Sequence, residues 1–573
     1  MLLSADIQKL QRKYVPADFS VKDWSSLEPF FIELTERKID SLDDLQQWMK
    51  DMSEIEAVVS EDSCWRQIKM TCDTNNKELE EAFVFFVTEI QPKLQPYIDL
   101  LNRKLIECPF TKQLDQKEYY TYLRNVQKNI DLFREDNIPI GAELSVLQQQ
   151  YGQISGQMTV EVNGQEYTLQ QAAKFLENED RELREAVYKK INERRWQDKD
   201  ALDELYTELI QKRHQMALNA GFENYRDYKF AELGRFDYSK QDCFNFHEAV
   251  KLHVLPLVKK INEKKKQLLG LDTLRPWDTE AKPVGVEPLK PFTTGEELAE
   301  KSIQCFELLD PFFADCIRKM KDMGHLDLES RIGKAPGGYN CPLAESGAPF
   351  IFMNAAGQMQ DVTTMVHEGG HAIHSFLSHE LPLTAFKDYP MEIAEVASMA
   401  MELFSMDFWK VFFDEEEELI RAKEHQLERT ITIFPWIATI DKFQHWVYTN
   451  PNHTVAERTA MWLTILDEFS TGTINFSGVE EYRKINWQRQ LHLFEVPFYY
   501  IEYGIAQLGA IGLWKQFKGN KEQALKNYVH ALSLGGTRTL PALYEAAGIE
   551  FNLSPDYIKS LMDFVNEEYL KIA

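Results

Sequence analysis

Residues 361–377, DVTTMVHEGGHAIHSFL, place two histidines four positions apart, with a glutamate directly after the first, in a run whose apolar residues recur at helical spacing. On an α-helix His367 and His371 fall on one face, about 6 Å apart along the axis, so both imidazoles can turn to one metal ion with Glu368 beside them. That is the content of the H-E-x-x-H pattern: two neutral imidazoles ligate zinc, and the glutamate acts as general base toward the attacking water. A chain of this length with 13 histidines produces the pattern by chance on the order of 0.03 times, so it is read as a site. Asp361 is read as the helix N-cap. Gly369 and Gly370 each cost about 1 kcal/mol in a helix interior, which predicts that something there needs close backbone approach. His374 continues the same face and reads as a packed or supporting histidine rather than a ligand.

A catalytic zinc needs three protein ligands and an open fourth position, and the third should come from a separate element. PMEIAEVASMAMELFSM, residues 390–406, sets Glu395 and Glu402 seven apart on nearly one helical face, among Ile393, Val396, Ala397, Ala400 and Leu403. Buried carboxylates are costly unless paired or metal-bound. An acidic stripe on a solvent-facing amphipathic helix is the competing reading, and the upstream H-E-x-x-H favours ligation. Glu395 is preferred as ligand and Glu392 is the alternative; Glu402 suits orienting a ligating histidine.

WQRQLHLFEVPFYYIEYGIAQLGAIGLW, residues 487–514, carries His492, Tyr499, Tyr500 and Tyr503. Amide hydrolysis through a tetrahedral intermediate needs donors for the developing oxyanion, and Tyr or His can serve. Aromatic residues at this spacing are otherwise core.

The rest of the chain bounds the setting. Its 573 residues exceed one compact core, so two or more lobes are expected. Long helical patterns cover residues 77–107 and 184–221, while Asn163-Gly164 inside MTVEVNGQEYTL marks a hairpin near 158–169. Residues 271–292, with four prolines, read as a long ordered crossover, and PFIFMN (residues 349–354) as a strand leading into the histidine helix. The expected division is an N-terminal helical region over 1–175 and a helical zinc-peptidase region over 176–573, its catalytic core about 333–515. Lys and Arg total 64 against 91 Asp and Glu, a net charge of −27 that disfavours nucleic acid and anionic membranes as partners. Seven cysteines, none in a CxxC pair, fit a reducing compartment. The start MLLSADIQKLQRKY meets charge too soon for a signal peptide, and no run of about 18 apolar residues occurs. A cytoplasmic protein is expected; the oligomeric state is not readable.

HEGGH followed by EIAEVASMAMEL, with LRPWD, GFENYRDY and PFYYIEYG on either side, resembles the oligoendopeptidase F branch of the thimet-oligopeptidase family of zinc metallopeptidases. The likeness runs from about residue 180 to the C-terminus. It implies a mainly α, two-lobed fold of the zincin type, with a deep substrate channel and a small β-sheet near the zinc helix whose edge, fitted by PFIFMN, pairs with the substrate backbone. It implies one zinc ion per chain on His367, His371 and Glu395, Glu368 as general base and Glu402 behind the ligands. His492 and Tyr503 would donate to the transition state, with Tyr500 and Tyr499 as substrate contacts. The expected activity is zinc-dependent cleavage of internal bonds in short peptides. A zinc carboxypeptidase or dipeptidyl carboxypeptidase of similar fold and a non-catalytic helical binding protein are the rival readings. The glycine-rich loop 333–342 reads equally as a lid or a plain turn.

Overall fold

The computed structural model describes residues 5, 11–331, 333–335 and 337–572. Most of the opening residues read for a leader, and Pro336 of the glycine-rich loop, lie outside the described residues. The fold is mainly helical, with one two-stranded and one three-stranded sheet among the described residues. It forms two units, each built from three stretches of chain. The first holds Met1–Phe133, Leu289–Lys423 and Ile505–Phe551; the second holds Arg134–Pro288, Glu424–Gly504 and Asn552–Ala573.

In the first unit, Ser41 caps a long helix, Leu42–Cys72, by accepting from the amide of Asp44. Its apolar face, with Leu45, Trp48, Met49, Met52 and Ile55, joins Phe31, Leu34, Leu101 and Leu105 in a core that also takes in Leu383 and Phe386. Those last two belong to the link between the two helices that carry the metal-ligand candidates. Ser53 of the long helix and Thr384 of the link hydrogen-bond at 2.7 Å, so the N-terminal helices hold that link in place. From the other side, the amide of Gly536 donates to the carbonyl of Phe386 at 2.7 Å.

The three-stranded sheet also belongs to this unit. Phe350–Ala355 is its middle strand, parallel to Leu326–Glu329 on one side and antiparallel to Tyr339–Cys341 on the other. This corrects the expectation that PFIFMN forms an edge. Phe350 through Met353 are all buried, as suits a strand covered on both faces and paired along both sides. The edges are Leu326–Glu329 and Tyr339–Cys341.

In the second unit, Thr159–Val162 and Gln165–Thr168 form a hairpin that turns at Asn163 (φ +54°) and Gly164 (φ +80°), the conformation an Asn-Gly turn adopts. The helical run expected over 184–221 is two helices, Arg181–Gln197 and Lys199–Asn219, broken at Asp198. The break leaves the apolar periodicity on either side intact. In the proline-rich crossover, buried Asp278 binds Arg181 and Arg184 at 2.7 and 2.8 Å and the amide of Arg275 at 2.9 Å. Side-chain bonds replace secondary structure in ordering this stretch.

Candidate metal centre

The histidine helix, Met359–Ser378, follows directly from the middle strand through Gly357 (φ +87°). Gln358 is its N-cap, and Asp361 stands at the third helical position, not at the cap as expected from the sequence. Its carboxylate still serves the helix start, accepting from the amides of Gln358 and Ala356 at 2.8 Å each. The glutamate helix, Met391–Ser405, begins after Pro390 and is buried nearly throughout.

The paired glycines explain how the two helices meet. A Cβ on Gly370 would lie 2.6 Å from the carbonyl oxygen of Ala397 and 2.6 Å from the Cα of Ser398, so the backbone of the glutamate helix crosses directly over Gly370. A Cβ on Gly369 would meet the Phe306 ring at 2.6 Å. With no side chain between them, the helices are near enough for carboxylates from one to reach imidazoles on the other.

His367, His371 and Glu395 each present a donor atom within 4.8 Å of the others. Glu395 Oε2 is 3.4 Å from His367 Nε2 and 3.8 Å from His371 Nε2. Ligands about 2.1 Å from a tetrahedral centre stand about 3.4 Å apart, so the spacing fits zinc. Glu402 Oε1 accepts from His367 Nδ1 at 2.7 Å, fixing the tautomer that leaves Nε2 facing Glu395. Glu392 is buried in the first turn of the same helix and is not in the group. His374 is fully buried and stacked on Tyr389, with ring centroids 3.6 Å apart. Its burial lowers its pKa well below the ordinary value, a packed neutral ring.

The electrostatics separate the members. Glu368 is buried, its Oε2 has no hydrogen-bond partner, and burial raises its pKa to about 7, helped by Glu395 and opposed by His367. Burial disfavours a charged His367, yet hydrogen bonds to Glu395 and Glu402 outweigh it and hold its pKa well above the ordinary value. Burial lowers His371 to about 4, with Glu395 opposing.

Asn340, on the edge strand, was not singled out in the sequence. Its Nδ2 donates to the main-chain carbonyl of Glu368 at 3.2 Å, tying that strand to the histidine helix at the glutamate. Only its place in the glycine-rich loop ahead of the helix hinted at it.

His492, Tyr499, Tyr500 and Tyr503 belong to the second unit, where they cluster. The His492 ring lies 6.0, 5.0 and 5.8 Å from Tyr499, Tyr500 and Tyr503. Gln490 Nε2 and His492 Nδ1 are 2.7 Å apart, and Gln490 Oε1 accepts from Trp436 Nε1 at 2.8 Å. Burial raises the Tyr500 hydroxyl to about 12, against Arg489. The residue before the tyrosines, Phe498, sits at φ +67°, a region a bulky side chain rarely adopts. Gln444 Oε1 accepts its N–H at 2.6 Å, and its carbonyl accepts from Arg235, which also pairs with buried Glu502 at 2.9 Å.

A mainly helical protein that brings two imidazoles and a carboxylate to one point, with a second carboxylate next to the first imidazole in sequence, has the build of a metallopeptidase. Residues 174–563 match peptidase family M3 and residues 16–133 match the peptidase M3 N-terminal domain, and the chain belongs to that family. An oligoendopeptidase F homolog of Borreliella burgdorferi is 23% identical over 66% of this chain and 63% of its own length. Oligopeptidase PepF of Bacillus subtilis is 22% identical over 69% of this chain and 58% of its own length. The matched region thus spans about three-fifths of these relatives. Among solved structures, PZ peptidase A with an inhibitor superposes with a TM-score of 0.90 and 26% identity, covering 97% of this chain and 99% of that one. A structure assigned to oligoendopeptidase F gives 0.90 and 27%, covering 98% and 99%. Among the described residues no helix is long and apolar enough to cross a membrane.

Proposed function

We propose that this chain is a zinc-dependent endopeptidase that hydrolyses internal bonds of short peptides. The observation that carries the reading is the convergence of His367, His371 and Glu395 beside a buried Glu368 whose Oε2 has no partner. His367, His371 and Glu395 would hold the zinc, which when bound would supply Lewis-acid chemistry beside Glu368. Glu368 takes the proton of the attacking water and delivers it to the leaving amine. Glu402 holds His367 in the tautomer that ligates. The edge strand Tyr339–Cys341, tied to Glu368 through Asn340, pairs with the peptide backbone. His492 and Tyr503 donate to the developing oxyanion, worth on the order of 3 kcal/mol per donor. Tyr500 and Tyr499 contact the substrate.

Short peptides as substrates are supported by the names of the relatives, two of them called oligoendopeptidase F homolog and oligopeptidase. A cytoplasmic setting is supported by seven free cysteines. The test is mass spectrometry of products from an internally quenched peptide blocked at both ends, with and without zinc. Internal cleavage by the wild type, slowed about 100- to 10,000-fold in Glu368→Gln, is expected. Cleavage only of peptides with a free C-terminus would replace the endopeptidase reading with a carboxypeptidase one.

A further inference from the structure

In the second unit, two helices each carry a pair of ligand-type residues one turn apart. Cys243 and His247 stand on Lys240–Ala249, and Asp441 and His445 on Glu416–Thr449. Cys243, Asp441 and His445 place donor atoms within 4.8 Å of one another, and all three are buried. Asp441 is fully buried, and its Oδ2 accepts from His247 Nε2 at 2.8 Å. His445 Nε2 lies 3.3 Å from the same oxygen. Asp441 Oδ1 has no hydrogen-bond partner, and neither does His445 Nδ1. The rings of Phe244, Phe498 and Phe230 stand 4.9, 5.4 and 5.7 Å from the His445 ring. Of the cations that act on the cluster, Arg235 is engaged by Glu502 and the carbonyl of Phe498, and Arg226 by Asp227.

Both histidines reach only Asp441 Oδ2, which leaves Oδ1 a buried carboxylate oxygen with no donor, a cost that a cation held among Asp441, His445 and Cys243 would remove. We propose that Cys243, Asp441 and His445 bind a zinc ion, with His247 holding the carboxylate from behind. A thiolate and a carboxylate exactly neutralise a divalent cation, so the centre carries no net charge into the interior. The mixed sulfur, nitrogen and oxygen set suits zinc rather than magnesium or calcium. Binding breaks the Cys243 S–H bond and releases that proton to solvent. Burial and Asp441 hold the thiol well above its ordinary pKa, and a bound metal reverses that preference.

The site has a structural consequence. Gln444, next to His445, accepts the amide of Phe498 at 2.6 Å, and the His445 ring packs on Phe498. A metal that pins this turn supports the strained residue from which Tyr499, Tyr500 and Tyr503 follow.

The test uses cobalt in the full-length protein, stripped and reloaded, because the histidine and glutamate helices carry no cysteine. Expected are two cobalt ions per chain by elemental analysis and a near-ultraviolet sulfur-to-cobalt charge-transfer band equivalent to one site. Cys243→Ser should abolish the band and remove one metal, leaving the visible absorption of the other site. Asp441→Asn, which keeps the carboxylate's shape, should weaken the band and lower the melting temperature of the loaded protein toward that of the stripped one. One metal per chain with no charge-transfer band in the wild type would overturn the proposal, whatever the variants do. So would a band that survives Cys243→Ser.

Discussion

Gly370→Ala tests whether the close crossing of the two helices sets the metal geometry. The added methyl would lie 2.6 Å from the Ser398 Cα and from the Ala397 carbonyl oxygen. Carbon atoms in contact sit about 3.5 Å apart, so the glutamate helix must retreat by about 0.9 Å at that point. Glu395 is one turn earlier on the same rigid helix and moves with it. Zinc ligand distances tolerate about 0.2 Å, so the displaced carboxylate cannot keep its place without distorting the rest. Overpacking of this kind costs about 1–3 kcal/mol, against a gain of about 1 kcal/mol from replacing glycine inside a helix. The fold should therefore survive while the site weakens. The assay is the free zinc, set by a chelator buffer, that restores peptide hydrolysis to stripped enzyme. It should rise about 10- to 100-fold, the range seen when groups supporting metal ligands are disturbed. Gly369→Ala is the contrast, because its methyl meets the Phe306 ring rather than a backbone. That variant should lose stability with a smaller change in zinc requirement. A Gly370→Ala enzyme within threefold of wild type would refute the reasoning.

Glu368→Gln should lower turnover by about 100- to 10,000-fold with metal content unchanged, since the amide keeps the shape but takes no proton; elemental analysis beside the kinetics checks it. Tyr503→Phe should depress kcat far more than it raises KM, and Tyr500→Phe should act mainly on KM, because an oxyanion donor is used chiefly in the transition state; steady-state kinetics read the split, and a Tyr503→Phe kcat within about threefold of wild type would return the ring to core. The raised pKa values of His367 and Glu368 mean that the metal-free fold holds more protons than the unfolded chain. Their stabilisation is complete below the unfolded values, about 6.5 and 4.3, and is lost as pH rises through about 7 for Glu368 and higher for His367. His371, lowered to about 4, acts in the opposite sense only below about 6.5. Stripped protein should therefore lose melting temperature relative to zinc-loaded protein between pH 6.5 and 8, and zinc uptake at pH 7 should release at least one proton, read by calorimetry in buffers of different ionisation enthalpy.

What could be read from the sequence was what local spacing encodes. His367, Glu368 and His371 lie within five residues, so helical geometry alone brings them together. Glu395 and Glu402 stood out as carboxylates in an apolar helix, and Gly369 and Gly370 signalled close approach without saying to what. Properties set by distant chain were not legible. PFIFMN reads as a strand wherever it lies in a sheet, and only the arrival of residues 326–329 and 339–341 makes it the middle one. Asp198 interrupts a helical run at one residue without disturbing the apolar pattern on either side. Asn340 matters through one bond to a main-chain carbonyl 28 residues further along the chain, which no local pattern reports.

Phe498 extends this point from contacts to conformation. A non-glycine residue at φ +67° costs on the order of 1–3 kcal/mol and persists only where its surroundings over-determine it. Here they do: Gln444 takes its amide, Arg235 its carbonyl, and its side chain is fully buried. Glycine at this position would adopt the angle at no steric cost, but it would leave no ring to pack on His445 and Tyr448. The phenylalanine thus gives up backbone comfort for an anchor at the start of the tyrosine helix. The metal centre uses the opposite device, since Gly370 gives up a side chain so that two backbones can meet. In one place a side chain is kept at the expense of φ, in the other it is surrendered for proximity, and both choices hold the chemical groups of the adjoining helix in position.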